Sequence, residues 1–443
     1  MNGAPGSDHH IPFPIAIRSS YGFYLGYSCV VSRGVLSIVW FAVNCWVGSF
    51  AVTETIAALW PEYKLIENQL PTNARITSLQ MTSYLVFFLI QLPFFFIPMT
   101  RLRSVSVLFS ISMVVWICAK AGDLQGIFNQ PASVSGATRT WLWLSTFSAT
   151  TNSWLSSAIN MSDFARFSKT RYAPYSQIPT IPIIKTVYAV LGIATVGASR
   201  VLYGADIWSP VEILPLWTGS GGRFLAFLCG CLWILAQISC NISANAVPFG
   251  HDLMNVFPMW INVRRGTILC LLVGSWAVVP WMLVNSAAEF LQFMNGYGCV
   301  VCGIVSIMIS DYWLVRRRKL DIPALYDPHA RYRYFGGFNW RAATTQLCFM
   351  ALSLPGLINQ ISPSATIPDG LLHLYELNWF INTLGPLLLY WMLWKFWPAR
   401  ETLVSKTISA VIIPSMGEDV GEGMGSSVGM RGKSEKQETT SHI

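Results

Sequence analysis

Ten apolar stretches of membrane-spanning length follow one another along the chain, separated by short polar loops. They run over about 26–52, 78–98, 103–121, 140–160, 181–203, 224–247, 267–287, 290–314, 342–361 and 377–397. A helix needs roughly 20 apolar residues to cross a hydrocarbon layer about 30 Å thick. The pattern therefore predicts an all-α polytopic membrane protein, with a transmembrane domain over 26–403. One stretch breaks the pattern from inside. Between Phe224 and Val247, the ten residues Ala236 to Asn245 hold two Asn, a Gln, two Ser and a Cys. On a helix Gln237, Asn241 and Asn245 form one polar stripe at i, i+4 and i+8, with Ala236, Ser239 and Cys240 as a small-residue face beside it. Amides in hydrocarbon are costly unless they face a bundle interior or a cavity. One amide reads as interhelical glue; three in register beside small residues point to a binding site.

The loops set the expected orientation. Cations cluster at Arg18 before the first span with Arg33 just within it, at Arg101 and Arg103, at Arg166, Lys169 and Arg171, and at Arg264 and Arg265. The densest group is Arg316 to Lys319, followed by Arg331, Arg333 and Arg341. The intervening loops are poorer in cations and hold Glu54, Glu62, Glu67, Asp123, Asp206, Glu212, Asp369 and Glu376. The positive-inside rule then places both chain ends in the cytoplasm. Residues 1–25 read as a cytoplasmic segment whose run Ile11 to Ile17 is too short and Pro-rich to span. Residues 404–443 are rich in Gly, Ser and charge and read as a disordered tail. Lys433 and Lys436 are possible modification sites there, against the plainer reading of a solvated tail.

Composition agrees with the pattern. Of 443 residues 53% are hydrophobic and 11% charged, against about 25% charged in soluble domains. The net charge of +8 is confined to particular loops, so it does not imply nucleic acid. Cys229-x-Cys231 and Cys299-x-x-Cys302 lie in apolar runs without a partner His or second pair, and read as small buried residues. There is no phosphate-cradling Gly loop, no HExxH and no nucleophile–base constellation. No enzyme chemistry and no cofactor is expected.

Other polar positions within the spans are candidates beside a plainer alternative. Trp40 and Asn44 stand at i and i+4, where an indole stacks a flat heterocycle and an amide bonds its edge; packing and helix bridging is the alternative. Trp154 sits mid-span among Asn152, Ser153, Ser156 and Ser157. Asn160, Asp163 and Arg166 end that span, and an Asp163–Arg166 pair at i, i+3 would lock a gate or cap the helix. Glu289 reads as an interfacial loop residue, Gln292 and Asn295 as cavity lining or helix glue, and His251 as a loop residue.

Six stretches in order resemble the nucleobase–cation symporter-1 family, in its fungal uracil, uridine, allantoin and thiamine permease branch. They are His10 to Gly22, Trp40 to Asn44, Trp154 with Asn160 to Phe167, Ala236 to Gly266, Ser310 to Arg317, and Gly337 to Arg341. The resemblance implies a twelve-helix, LeuT-like fold of five-plus-five inverted repeats with a midplane substrate site. It implies that Trp40 and Trp154 sandwich the substrate ring and that Asn44, Asn241 and Asn245 bond its edges. Asn44 replaces the family's usual Gln and is one methylene shorter. In sodium-coupled members a carbonyl and two hydroxyls hold the cation. Ala236 and Ser239 match, but Cys240 replaces the second hydroxyl, and a thiol is a poor ligand for a hard cation. The expected coupling ion is a proton, as in fungal relatives. The ten spans align with helices three to twelve, which leaves helix one and most of helix two absent. The expected function is import of a heterocycle across the plasma membrane by alternating access. The alternative is a non-transporting family member acting as a regulatory partner or nutrient sensor.

Overall fold

The first apolar stretch forms one helix, α1, over Phe23–Leu59, seven residues past its expected end at 52. At 1.5 Å per residue it is about 55 Å long, and nothing in it before Trp60 breaks the helix. The computed structural model describes residues 1–96, 116–122, 124–128, 134–283, 287–361 and 367–409. Side chains are described for these except at 124–125, 283, 287–295 and 361. The expected span 103–121 lies mostly outside the described residues, as do Arg101, Arg103, Asp123 and the chain from 410 with Lys433 and Lys436.

The other long helices are α2 (Ser78–Gln91), α3 (Gly136–Asn152), α4 (Leu155–Ala165), α5 (Gln177–Tyr203), α6 (Gly219–Asn241), α7 (Val247–Val256), α8 (Val263–Trp276), α9 (Ala287–Ile309), α10 (Trp340–Ile361) and α11 (Asn378–Phe396). Five described segments are long and apolar enough to cross a membrane: Phe23–Leu59, Ser78–Phe96, Ala173–Tyr203, Gly219–Val256 and Gly296–Val315. Among the described residues β structure is limited to two isolated bridges. Glu289 lies within α9 rather than in a loop; its side chain, with those of Gln292 and Asn295, is outside the described set.

The buried apolar residues separate into two cores. One gathers the first 21 residues with α4, α9, α10, α11 and the loop over 320–332. The other gathers α2, α5, α6, α7 and α8. Among the described residues only α1 gives fully buried apolar side chains to both: Cys29, Val30 and Leu36 to the first, Phe41, Cys45, Trp46, Ala51 and Val52 to the second. Trp40 packs on the first core and its neighbour Phe41 lies inside the second.

Residues 1–25 are more structured than their composition predicts. Ala4–His9, Phe13–Ala16 and Arg18–Tyr21 are short helical turns with mostly buried residues. The Gly336–Trp340 loop docks beside them. Gly22 has φ +90°, and a Cβ there would meet the Gly337 carbonyl oxygen at 2.6 Å. That close approach lets Tyr24 N donate to Gly337 O at 3.0 Å and Asn339 N donate to Tyr21 O at 2.9 Å. The tail is also ordered at its start: Ile322 N donates to Ile408 O, and Ile408 N to Leu320 O, both at 2.9 Å. Order therefore runs past the expected boundary at 404.

Among the described residues, four of the cations that set the expected orientation, Arg18, Arg33, Arg316 and Arg341, are buried. Arg316 N donates to Asp311 O across a π-helical turn, Ser310–Val315. The Arg316 guanidinium pairs with Asp311 at 2.7 Å, and both side chains are shielded from solvent. Ser19 and Tyr390 also donate to the Asp311 carboxylate, at 3.0 and 2.9 Å. Arg33 lies inside α1, as described below. Arg33 and Arg316 serve as ties between helices, so neither counts toward the positive-inside tally.

Candidate functional site

The span expected at 140–160 is two helices, with Trp154 at the break between them. The residues before the break hydrogen-bond back to their own helix. Thr151 Oγ1 donates to Phe147 O at 2.8 Å and Ser153 Oγ to Thr150 O at 2.6 Å. Such back-bonding competes with the regular helix ladder. Trp154 takes φ −99° and ψ 0° and begins α4. Its indole is 46% exposed. Asn152 is buried against Gly298, and its Oδ1 accepts from Cys302 Sγ at 3.4 Å.

The polar stripe lies on the seam between α6 and α1 and changes helix type as it runs. α6 ends at Asn241, a π-helical turn covers Ile242–Ala246, and α7 follows. Pro248 explains the turn: it has no N–H for the Ala244 carbonyl and its ring crowds that carbonyl. Gln237 Nε2 donates to Asn44 Oδ1 at 2.8 Å and to Asn44 O at 3.3 Å. Asn241 Nδ2 reaches Phe41 O and Cys45 Sγ, each at 3.3 Å. Asn245 Nδ2 donates to Asn241 Oδ1 at 2.9 Å. Asn44, Gln237, Asn241 and Asn245 are thus brought together. Asn241 is committed to protein partners at both ends of its amide, and Gln237 serves as a helix tie. On the small-residue face Ser239 Oγ donates to Leu235 O at 2.8 Å, while Cys240 is exposed.

Toward the other end of α1 the candidate gate residues meet Arg33. Its Nη1 donates to Asp163 Oδ2 at 2.8 Å and to Asn160 Oδ1 at 2.9 Å. Its Nε donates to Asp252 Oδ2 at 2.7 Å, and Nη2 pairs with Asp252 Oδ1. Phe13 N adds a bond to Asp163 Oδ1 at 2.8 Å, and the Phe13 ring lies under the guanidinium. The expected Asp163–Arg166 pair does not form. Asp163 points from α4 into the α1–α7 interface, whereas Arg166, at the end of α4, turns to His251. Arg166 Nη2 stands 3.0 Å from His251 Nε2. Arginine only donates, so Nε2 accepts and the ring proton sits on Nδ1. His251 is a buried residue of α7, not a loop residue.

Lys185 carried no signal except being a lone cation early in an apolar run. It is the ninth residue of α5 (Gln177–Tyr203), and its Nζ stands 2.8 Å from the centroid of the Trp154 ring. It is also an electrostatic neighbour of Cys240. Two cavities lie away from all these residues. One of about 310 Å³ is bordered by Glu54, Lys64, Trp217 and Arg223. Another of about 230 Å³ is bordered by Tyr21, Cys29 and Gln346.

The family model described as "Permease for cytosine/purines, uracil, thiamine, allantoin" matches residues 1–382. The chain belongs to this permease family. It is therefore a multi-pass membrane transporter of the nucleobase type and not an enzyme. An uncharacterised permease of Schizosaccharomyces pombe is 32% identical over 416 residues, covering 92% of this chain and 74% of the relative. The allantoin permease of Saccharomyces cerevisiae is 28% identical, covering 92% and 67%. The uridine permease of the same yeast is 29% identical, covering 89% and 64%. Among solved structures, Mhp1 in a closed conformation with bromovinylhydantoin bound, a nucleobase–cation-symport-1 transporter, has a TM-score of 0.67 at 22% identity. It is matched over 90% of this chain and 82% of Mhp1. Inward-facing Mhp1 scores 0.66. The permease chain thus has the all-α, LeuT-like fold of five-plus-five repeats.

Proposed function

We propose that the protein imports a nucleobase-like heterocycle such as uracil, allantoin, uridine or thiamine across the plasma membrane, by proton-coupled alternating access, with both chain ends in the cytoplasm. The observation that carries this reading is the amide cluster at the α1–α6 seam. It is built around a π-helical turn, a backbone form that recurs at functional sites, and includes Asn44 and Asn245. Trp40 stands one helical turn before Asn44 on α1. In this reading Trp40 and Trp154 stack the ring, and Asn44 and Asn245 bond its edges. Asn241 holds Asn245 in place.

The small-residue face supports the choice of coupling ion. The Cys240 thiol is a soft donor ill-suited to sodium. Arg33, with Asn160, Asp163 and Asp252, joins three helices and serves as the closed-state tie on the cytoplasmic side. Arg166 takes part through His251.

The test is uptake of labelled uracil, allantoin, uridine and thiamine by the full-length protein in a transport-deficient cell. Trp40→Ala and Trp154→Ala should each lower uptake at least 100-fold with surface expression unchanged. Replacing external sodium should leave uptake intact, and a protonophore should abolish it. Uptake at the wild-type rate in either Trp variant would refute the ring placement.

A further inference from the structure

Lys185 belongs to none of the roles described above. It is the fifth residue of the apolar stretch 181–203 and is half-buried. Among the described residues it makes no ion pair with a carboxylate. Its close partner is the face of Trp154, and the ring's negative face is what holds the ammonium there. Basic side chains inside a membrane are costly and normally face a cavity or pathway. Lys185 therefore joins two features that the sequence kept separate: the indole proposed to stack the substrate, and Cys240 on the former cation face.

We propose that Lys185 is the charge filter of the substrate site, admitting neutral, carbonyl-bearing heterocycles and rejecting cationic ones. This rests on the placement of the substrate against Trp154. A ring that stacks on Trp154 either displaces the ammonium from its face or takes the opposite face, and in both cases remains close to it. A carbonyl oxygen on the ring accepts a hydrogen bond from Nζ. A permanently cationic ring meets a like charge at short range, and that repulsion disfavours it. The resident ammonium is also an electrostatic neighbour of Cys240, so a second cation beside that thiol is disfavoured for the same reason.

The inference separates substrates that the family mixes. Its relatives include permeases named for uracil, allantoin and uridine and others named for thiamine and nicotinamide riboside. Thiamine and nicotinamide riboside carry a fixed positive charge; uracil, uridine and allantoin do not. The experiment measures how well each of these five compounds blocks uptake of whichever labelled neutral compound the full-length protein carries. In wild type the two cationic compounds should inhibit at least 30-fold more weakly than the best neutral one. Lys185→Gln and Lys185→Met should shrink that gap at least tenfold, and Lys185→Arg should keep it. The wild-type measurement stands even where a variant fails to reach the membrane. Equal inhibition by thiamine and the neutral compound in wild type would overturn the proposal. So would an unchanged gap in a well-expressed Lys185→Gln protein. Loss of uptake in Trp154→Ala alongside either of these results would show that the site is right and the filter wrong. Retention of uptake in Trp154→Ala would instead sink the underlying placement.

Discussion

Arg33 counts by sequence toward the basic end of the first span and is, in the structure, a buried tie between helices. It stands eleven residues into α1 and is 1% exposed, with carboxylates from α4 and α7 on its guanidinium. Five N–H donors in a rigid fork satisfy Asp163, Asn160 and Asp252 at once, which a Lys cannot do. Removing the cation leaves two buried carboxylates without their partner. Arg33→Met should therefore lower stability by about 3–5 kcal/mol. Arg33→Met combined with Asp163→Asn and Asp252→Asn should recover most of that loss. Thermal melting of the detergent-purified proteins measures both, and a triple variant no more stable than the single one would contradict the account. The spacing along α1 could not reveal this tie, because both acidic partners are more than a hundred residues away. By contrast, Asn44 and Gln237 were both visible as polar intrusions in apolar runs. Their hydrogen bond to each other was not, since it depends on how α1 and α6 pack.

At the level of single elements, periodicity located most helices well, and its failures have local causes. The expected straight span at 140–160 is broken at Trp154, next to residues whose hydroxyls bond their own backbone. The expected polar stripe on α6 passes through a π-helical turn because Pro248 cannot donate. A count of 3.6 residues per turn sees neither. Pro248→Ala restores the missing donor and removes the crowding at Ala244. The turn should close toward an ordinary α-helix, and one residue of register rotates a side chain by about 100°. Asn245 would then lose its alignment with Asn241. Uptake should fall at least tenfold while the melting temperature stays the same or rises. A variant that melts higher and transports normally would show that the turn has no role in the site.

Across the whole molecule, the alternation of apolar stretches and basic loops was enough to identify the class of protein, and six short stretches in order were enough to indicate the family. The legible part was the part encoded locally: span lengths, loop charges and the polar residues that interrupt apolar runs. What stayed hidden depends on contacts between distant segments. The first 21 residues read by composition as a segment too short and Pro-rich to span, yet they pack into the first core through Phe13, Ile17 and Tyr21. The start of the tail pairs with the loop at Leu320–Ile322. Lys185 became informative only once α5 stood beside Trp154. The division into two cores, bridged among the described residues by the buried apolar side chains of α1, has a genetic consequence. Changes in separate cores share no packing partners, so their energetic effects should sum. Ile159→Val and Ile238→Val should combine to within about 0.5 kcal/mol in a double-mutant cycle. Trp40→Phe and Phe41→Leu, adjacent on the shared helix, should not. Sequence drift in one core can then proceed without compensation in the other, and epistasis between them should concentrate in the short run of α1 where one core hands over to the next.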